Sequence, residues 1–120
     1  MSWSKSSLKM RQKKYHPSLL GKYPELAQKL LHIDLGAFPT SAHPLQHLDI
    51  ENLWIKRDDQ SSPVYGGNKI RKLEFILAVA RQRKVQHSVT LGGIGSNHGL
   101  ATAIFCDRLG IKCTLLLYMQ

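Results

Sequence analysis

Residues 88–118 read SVTLGGIGSNHGLATAIFCDRLGIKCTLLLY, and this stretch decides the fold. A strand is predicted at Ser88–Leu91, a helix at Asn97–Leu109, and a second strand at Lys112–Tyr118, which is apolar almost throughout. Gly110 is well placed to end the helix. A strand, a helix and a strand joined by short loops indicate two parallel strands with a helical crossover.

The residues before this stretch continue the alternation. A short apolar strand is predicted at Leu53–Ile55 and a helix at Asn68–Arg83, with a loop between them. One face of the helix is apolar and comprises Ile70, Leu73, Leu77 and Ala80, with Ile76 beside them. The sequence therefore predicts an α/β fold, a three-layer arrangement built on a parallel sheet with helical crossovers.

The strand at Lys112–Tyr118 shows no alternation of polar and apolar residues, which is typical of a strand buried on both faces. The sequence ends two residues later, at Gln120, with nothing after this strand to cover it. We therefore expect the α/β unit to be incomplete and the chain to be the N-terminal part of a larger protein.

Three segments are distinguished along the chain. Residues 1–14 form a basic tail that is expected to be disordered. Residues 15–52 form an irregular segment punctuated by prolines, and residues 53–120 form the partial α/β domain. Within the irregular segment a short helix is predicted from Pro24 to Leu31, because proline is tolerated in a first helical turn.

The formal net charge is +9, and no acidic residue precedes Glu25. Such a tail could contact nucleic acid or an anionic membrane, but a solvated tail is the simpler interpretation. The sequence lacks the zinc-ligand spacing and interleaved aromatic residues of many nucleic-acid-binding proteins. We therefore predict neither nucleic-acid nor membrane binding. A cytoplasmic location is predicted, since the tail has a single arginine and only a faint likeness to an organelle transit peptide.

Other residues that could carry chemistry are assigned to the core. Cys106 and Cys113 lie in apolar stretches without metal-ligand spacing, so we interpret them as reduced core residues. The histidines outside the glycine-rich loops are scattered and do not suggest a metal site. Trp54 is also predicted to be a core residue.

The most informative polar cluster opens the first of the two long helices, where residues 66–72 read GGNKIRK. Asn68 is a good helix cap, yet the cations Lys69, Arg71 and Lys72 follow in the first turn. Helix N-termini favour negative charge. The mismatch disappears if an anion binds there, against N–H groups that two glycines leave accessible. An exposed basic helix start would be tolerated too, so this segment alone leaves both interpretations open.

A second cluster, GGIGSNH at residues 92–98, follows a strand and opens the other helix. In open α/β sheets ligands bind beyond the carboxyl ends of the strands, so both clusters are predicted to line one crevice. Gly93, Gly95 and Gly99 also allow a dinucleotide site, which requires an acidic residue at the end of the next strand. That strand ends in Tyr118-Met119-Gln120, without a carboxylate, so the dinucleotide interpretation is the weaker one.

Three segments together resemble one family: LWIKRDD at residues 53–59, GGNKIRKLE at residues 66–74 and GGIGSNH at residues 92–98. They are similar to the 1-aminocyclopropane-1-carboxylate deaminase and D-cysteine desulfhydrase family. Its members are pyridoxal-phosphate enzymes of the tryptophan-synthase-β-like fold, also called fold type II. The resemblance covers roughly Phe38 to Leu117, and its middle segment is much more specific than a lone glycine loop.

The resemblance implies that pyridoxal 5′-phosphate is the cofactor and that Lys69 forms the internal aldimine. An amine attacks an aldehyde only when unprotonated, and the neighbouring cations Arg71 and Lys72 would favour that form. The family also implies that Lys72 helps hold the cofactor phosphate and that Asn97 bonds the phenolic oxygen of the pyridine ring. Ser96 matches a serine near the substrate carboxylate and the proton-transfer path. The candidate residues are thus Lys69 and Ser96 for catalysis, Lys69, Lys72, Asn68 and Asn97 for the cofactor, and Ser96, Asn97 and His98 for the substrate.

The implied activity is elimination or deamination of a small amino acid, such as D-cysteine or 1-aminocyclopropane-1-carboxylate, to ammonia and a keto acid. A homodimer is implied for the full-length protein. Gly95 stands where many members have Gln, and Gly99-Leu100 where many have Ala-Arg, so the substrate stays open.

The family's glycine-rich phosphate cradle and its partner of the pyridine nitrogen lie further downstream and are not in this sequence. A chain ending at Gln120 is therefore not expected to turn over alone. Two other functions stay open: a non-catalytic binding module of the same fold, and a basic nucleic-acid-binding domain.

Overall fold

The computed structural model describes residues 18–45 and 50–119. The elements, in chain order, are helix α1 (Ser18–Lys22), a 3₁₀ helix (Pro24–Gln28), strand β1 (Ala42–Pro44), strand β2 (Trp54–Lys56), a 3₁₀ helix (Asp58–Gln60), helix α2 (Lys69–Gln82), strand β3 (His87–Gly93), helix α3 (Asn97–Arg108) and strand β4 (Lys112–Tyr118). The tail predicted at residues 1–14 lies outside the described residues, and the division of the chain at residue 52 stays a prediction.

Strands β3 and β4 form a parallel pair, in register from His87 opposite Lys112 to Gly93 opposite Tyr118. Helix α3 makes the crossover between them and packs against both strands. Gly110 follows the end of α3 with a φ of 71°, a left-handed conformation that glycine adopts without steric cost. The α/β fold with a parallel sheet and a helical crossover is confirmed.

Strand β2 does not join this parallel sheet. It pairs antiparallel with β1, with Ala42 opposite Lys56 and Pro44 opposite Trp54, so its expected place in the sheet was wrong. The two strands are close in sequence, and closing a short loop costs less chain entropy than a crossover past α2. Trp54 is 62% exposed on this ribbon rather than in the core.

The core lies between the two long helices and the sheet. Helix α2 packs on α3, and the buried side chains form one cluster: Ile70, Leu73, Leu77, Ala101, Phe105, Cys106 and Ile111. Burying a leucine, isoleucine or phenylalanine stabilises a fold by about 1.5–3 kcal/mol. The predicted apolar face of α2 is thus confirmed at three positions, while Ala80 is only partly buried. Ile76 was wrongly assigned to it and is 52% exposed.

One face of the parallel pair is covered and the other is open. Along β3, Ser88 and Thr90 are half-buried, whereas Val89 and Leu91 on the opposite face are 59% and 67% exposed. Leu116 of β4 is also exposed, at 57%, so the expectation that this strand is buried on both faces is not met. In the described part of the chain, helices therefore cover only one of the two faces of the sheet.

A buried carboxylate ties the irregular segment to α2. Glu74 is 2% exposed, and its Oε1 accepts hydrogen bonds from the backbone N–H groups of Leu35 and Gly36, each at 3.1 Å. Its Oε2 lies 3.1 Å from Nε2 of His32, and its backbone carbonyl accepts from the N–H of Ile33. Residues 32–36 belong to no helix or strand that could pair their backbone N–H groups. The side chain of Glu74 supplies the acceptor for two of them.

The helix predicted from Pro24 to Leu31 is shorter and tighter in the structure. It is a 3₁₀ helix that ends at Gln28, and none of its residues is buried. Without an apolar face to pack, a short helical segment gains little from extending.

Cys106 is fully buried, Cys113 is half-buried, and neither is in a disulfide. No helix of the described residues combines the length and apolar character that crossing a membrane requires. Within the same residues, no cluster of three or more His, Cys, Asp or Glu side chains could hold a metal ion.

Candidate active site

The loop that leads into α2 is tightly held. A Cβ atom on Gly66 would lie 1.8 Å from the backbone oxygen of Asp59, so a side chain cannot be accommodated there. Ser61 is fully buried, and its hydroxyl donates to the oxygen of Gly67 at 2.9 Å and accepts from the N–H of Gly67 at 3.0 Å. Gly67 has a φ of 116°, which side chains disfavour. These contacts fix the backbone two residues before Lys69.

Asn68 directly precedes α2, but it does not cap the helix with its side chain. Its φ and ψ of −72° and −15° are already helical, whereas a capping side chain needs a more extended backbone. The side chain makes no capping hydrogen bond and is exposed. The capping role predicted for Asn68 is therefore corrected, and its role towards the cofactor stays a prediction.

Arg71 is neutralised by Asp58. Its Nη2 lies 2.6 Å from Oδ1 of Asp58 and its Nε 3.2 Å from Oδ2, while its guanidinium stacks 4.4 Å from the ring centroid of Phe38. The hydrogen bond from Arg71 lowers the pKa of Asp58, against the opposing effect of burial. Arg71 thus holds the loop against α2. The sequence identified it only as a cation in the first helical turn, and the structure pairs that charge with Asp58.

The two lysines keep the positive charge at the start of α2. Lys69 is half-buried and Lys72 is exposed. Within residues 18–45 and 50–119, no carboxylate forms an ion pair with either lysine. The positive charge that is unfavourable at this helix N-terminus is therefore that of the two lysines. A bound anion would neutralise it.

Ser96 caps α3. Its hydroxyl oxygen accepts a hydrogen bond from the N–H of Gly99 at 3.2 Å, which leaves the hydroxyl proton available to donate. A Cβ on Gly92 would lie 2.7 Å from Oγ of Ser96, so a small residue there makes room for the cap. Gly95 turns the chain with a φ of 83°. The sequence had predicted a site role for Ser96 but not the cap.

The two polar clusters are adjacent, as predicted. The hydroxyl of Tyr65, just before the glycines of the first loop, donates to Oδ1 of Asn97 at the start of α3, at 3.1 Å. The positive charges of Lys72 and Lys69 also lower the pKa of His98, the residue after Asn97. The loop that leads into α2 therefore contacts the start of α3.

His98, at the start of α3, has a buried ring nitrogen. Its Nδ1 is inaccessible and has no hydrogen-bond partner among the described residues. Burial lowers the pKa of His98, and the positive charges of Lys72 and Lys69 lower it further. His98 also lines a pocket of about 340 Å³ at the carboxyl ends of the parallel strands, with Leu91, Gly92, Gly93, Ile94, Gly95, Ser96 and Tyr118.

The lowered pKa of His98 predicts a pH dependence of stability. Above the ordinary histidine pKa of about 6.5 the imidazole is neutral in both the folded and unfolded chain. As the pH falls below that value, the unfolded chain binds a proton that the folded chain resists, so stability is lost. Denaturant titrations between about pH 7 and pH 5 should therefore show a smaller loss of unfolding free energy for His98→Gln than for wild type. Parallel pH profiles for the two proteins would contradict this prediction.

Together these residues form a donor-rich site. A primary amine, a second cation, a side-chain amide, a hydroxyl and an imidazole acceptor lie at the starts of two helices, beside glycines that allow close approach. Helix N-termini and lysines suit a phosphate, and a primary amine suits a carbonyl. The site therefore fits a small ligand that carries both groups.

The fold and the candidate site indicate a class of protein. Comparison with known families shows which family the chain belongs to. The model of the pyridoxal-phosphate dependent enzyme family matches residues 33–118, and the chain belongs to that family. The cofactor of the family is pyridoxal 5′-phosphate. This match favours the pyridoxal-phosphate interpretation of the glycine-rich loops over the dinucleotide one.

Two relatives with different names match most of the chain. The chain is 43% identical over 91 residues to nocardicin C-9′ epimerase of Nocardia uniformis subsp. tsuyamanensis, covering 76% of this chain and 28% of that protein. It is 41% identical over 86 residues to the bifunctional D-cysteine desulfhydrase/1-aminocyclopropane-1-carboxylate deaminase, mitochondrial, of Arabidopsis thaliana, covering 69% of this chain and 21% of that one. The chain thus spans under a third of the length of these relatives.

A solved structure agrees with the fold. The crystal structure of an ACC deaminase homologue superposes with a TM-score of 0.73 at 32% identity, covering 85% of this chain and 31% of that one. The family resemblance and the fold type II architecture predicted from the sequence are confirmed. The roles of the individual site residues stay predictions.

Sequence reasoning missed three residues that build the site. Asp58 binds Arg71, Glu74 ties residues 32–36 to α2, and Tyr65 joins the two clusters. Asp58 and Glu74 lie within the segments that carry the resemblance, so their presence was visible although their contacts were not. No signal marked Tyr65, whose partner lies 32 residues away.

Proposed function

We propose that the protein carrying this chain is a pyridoxal-phosphate-dependent enzyme that eliminates from or deaminates a small amino acid, giving ammonia and a keto acid. The observation that carries the proposal is the hydrogen bond of 3.1 Å between Tyr65, in the loop that leads into the lysine-bearing start of α2, and Asn97 at the start of α3. The names of the Arabidopsis relative and of the solved homologue support the same reaction class.

The residues present fit the cofactor. Lys69 supplies the amine that holds it covalently, half-buried behind a glycine turn that allows close approach. Lys72, exposed one turn further along α2, supplies a positive charge for the phosphate. Asn97 supplies amide donors for the phenolic oxygen of the ring. Asn68 is exposed at the same helix start and is assigned to the cofactor as well.

The chain's own groups handle the substrate and its protons. When bound, the cofactor supplies an electron sink for the pair released at the substrate α-carbon. The amine of Lys69 would be the general base that takes up the α-proton of a substrate that carries one, such as D-cysteine. The hydroxyl of Ser96 keeps a proton that it can donate to the substrate carboxylate, and His98, which lines the pocket beside Ser96, is assigned to the substrate as well.

A second candidate function is epimerisation of an amino-acid centre. It is supported by the 43% identity to the protein named nocardicin C-9′ epimerase. For an amino acid with an α-hydrogen, such as D-cysteine, both reactions would begin with removal of the α-proton by the same lysine. In an epimerisation a proton returns to the opposite face of the α-carbon and no ammonia is released. Assaying ammonia and keto acid against inverted amino acid separates the two.

The assembly, location and partners of the enzyme are also part of the proposal. We propose a homodimer with a small amino acid as its substrate, in the cytoplasm, without nucleic-acid or membrane partners. The name of the Arabidopsis relative includes "mitochondrial", so the alternative location for this enzyme is an organelle. A non-catalytic binding module of the same fold would bind the cofactor without turnover, and a nucleic-acid-binding domain would bind DNA or RNA in a salt-dependent way.

Reductive trapping tests the proposed function directly. Borohydride treatment of the full-length protein with pyridoxal phosphate, followed by peptide mapping, is expected to leave a phosphopyridoxyl group on Lys69. Lys72 is the matched competitor, because it lies one helical turn away on the same face. A label on Lys72, or on neither lysine while the cofactor is bound, would overturn the assignment.

A further inference from the structure

Tyr65 occupies a defined place between the two halves of the site. Its ring is partly buried and packs against the hydrophobic core, and its hydroxyl donates to Oδ1 of Asn97 at 3.1 Å. Asn97 is exposed and is the first residue of α3. The hydrogen bond is thus the direct side-chain link between the loop before α2 and the start of α3.

The segment that carries Tyr65 is held on both sides. The glycine after it has no room for a side chain against Asp59, and Ser61 clamps Gly67 through two hydrogen bonds. Asp58, at the start of the same loop, is bound by Arg71 of α2. The phenolic hydroxyl therefore has a fixed position relative to the helix that carries Lys69.

This contact determines which way the amide of Asn97 faces. A side-chain amide has one oxygen that accepts and one NH₂ group that donates, and its terminal torsion is broad and close to two-fold. Because the oxygen of Asn97 accepts from Tyr65, its NH₂ group is turned away from Tyr65. If the amide reversed, its oxygen would face a ligand acceptor and repel it.

We propose that Tyr65 is a positioning residue, which orients the amide of Asn97 so that its N–H groups face the phenolic oxygen of pyridoxal phosphate. This inference rests on the proposed function, because it assigns Asn97 to the cofactor. Tyr65 touches Asn97 and acts through it. Removing the Tyr65 hydroxyl keeps the packed ring and leaves the amide of Asn97 without its orienting partner.

The test is the variant Tyr65→Phe, alone and combined with Asn97→Ala. A hydrogen bond of ordinary net strength corresponds to roughly a 3- to 10-fold change in an equilibrium constant, so Tyr65→Phe should weaken pyridoxal-phosphate affinity by about that factor. The absorption spectrum of the bound cofactor should change as well, because the phenolic oxygen belongs to its chromophore. In the Asn97→Ala background the same change should have little further effect, since the residue through which Tyr65 acts is gone.

Two controls separate positioning from structure. Tyr23→Phe removes a hydroxyl from an exposed tyrosine far along the chain from the site and should leave affinity and spectrum unchanged. In the cofactor-free protein, the side-chain amide resonances of Asn97 should shift in Tyr65→Phe while the unfolding midpoint stays close to that of wild type.

The outcomes distinguish this inference from the proposed function. If borohydride labels Lys69 in both proteins and Tyr65→Phe binds the cofactor with wild-type affinity and spectrum, the positioning role is wrong and the proposed function stands. An equal effect of Tyr65→Phe with and without Asn97 also overturns the positioning role. A wild-type protein that binds no pyridoxal phosphate overturns the proposed function and this inference with it.

Discussion

In the full-length protein, replacing Lys69 with alanine is expected to abolish covalent attachment of pyridoxal phosphate and to remove nearly all turnover. The substitution removes the amine proposed to hold the cofactor and to act as the general base, and a positioned proton-transfer group contributes roughly 10²–10⁴-fold to a rate. Lys69 is half-buried at the start of α2, and the side chain can be shortened without opening the core. The visible absorbance of the protein incubated with cofactor and the rate of ammonia release measure the two losses.

Lys72→Ala is the matched control for this experiment. It removes the same side chain from the same helix, one turn away and more exposed. Its proposed partner is the phosphate, so affinity for the cofactor should fall while covalent attachment and the absorbance at saturation survive. If Lys72→Ala lost the absorbance and Lys69→Ala kept it, the assignments of the two lysines would have to be exchanged.

Glu74→Ala is expected to destabilise the fold severely, by about 2–4 kcal/mol. The carboxylate accepts from the N–H groups of Leu35 and Gly36 and contacts His32, and it is itself 2% exposed. Removing it leaves these donors without their partner and opens a cavity beside α2. Urea denaturation of the variant and wild type measures the difference in unfolding free energy.

Glu74→Gln provides the conservative comparison. Its amide oxygen can still accept both backbone N–H groups, and the volume of the side chain is kept. It should therefore retain most of the stability that Glu74→Ala loses. Glu25→Ala, at an exposed carboxylate, should cost no more than a few tenths of a kcal/mol. A Glu74→Ala variant as stable as Glu25→Ala would show that residues 32–36 do not depend on this anchor.

Elements whose pattern is local were predictable from the sequence. Strand β4 and helix α3 have the predicted extents to within one residue, because a nearly continuous apolar run marks the strand and Gly110 marks the end of the helix. Strand β2 was predicted as a strand but with the wrong partner. Three apolar residues specify an extended segment, whereas its pairing with Ala42–Pro44 depends on how the chain closes between them.

The site was predictable where residue type alone implies chemistry. The lysines, Ser96, Asn97 and His98 were found because they flank glycines at helix starts. The contacts that position them were not, because they join residues that are distant in sequence. Glu74 lies 38–42 residues from its partners and would be assigned to a solvated helix face on composition alone. Arg71 was counted as a ligand-facing cation because nothing in the sequence shows that it turns back to Asp58.

The open face of the parallel pair has a calorimetric consequence. Val89, Leu91 and Leu116 already contact water in the folded chain, at 59%, 67% and 57% exposure. The heat capacity increases on unfolding, on average by about 12–15 cal/mol/K per residue, mainly because apolar surface becomes hydrated. Surface that is hydrated in both states contributes nothing to this increase. The heat capacity change of the described residues is therefore smaller than that of an average domain of their length, and the stability of this unit varies only shallowly with temperature.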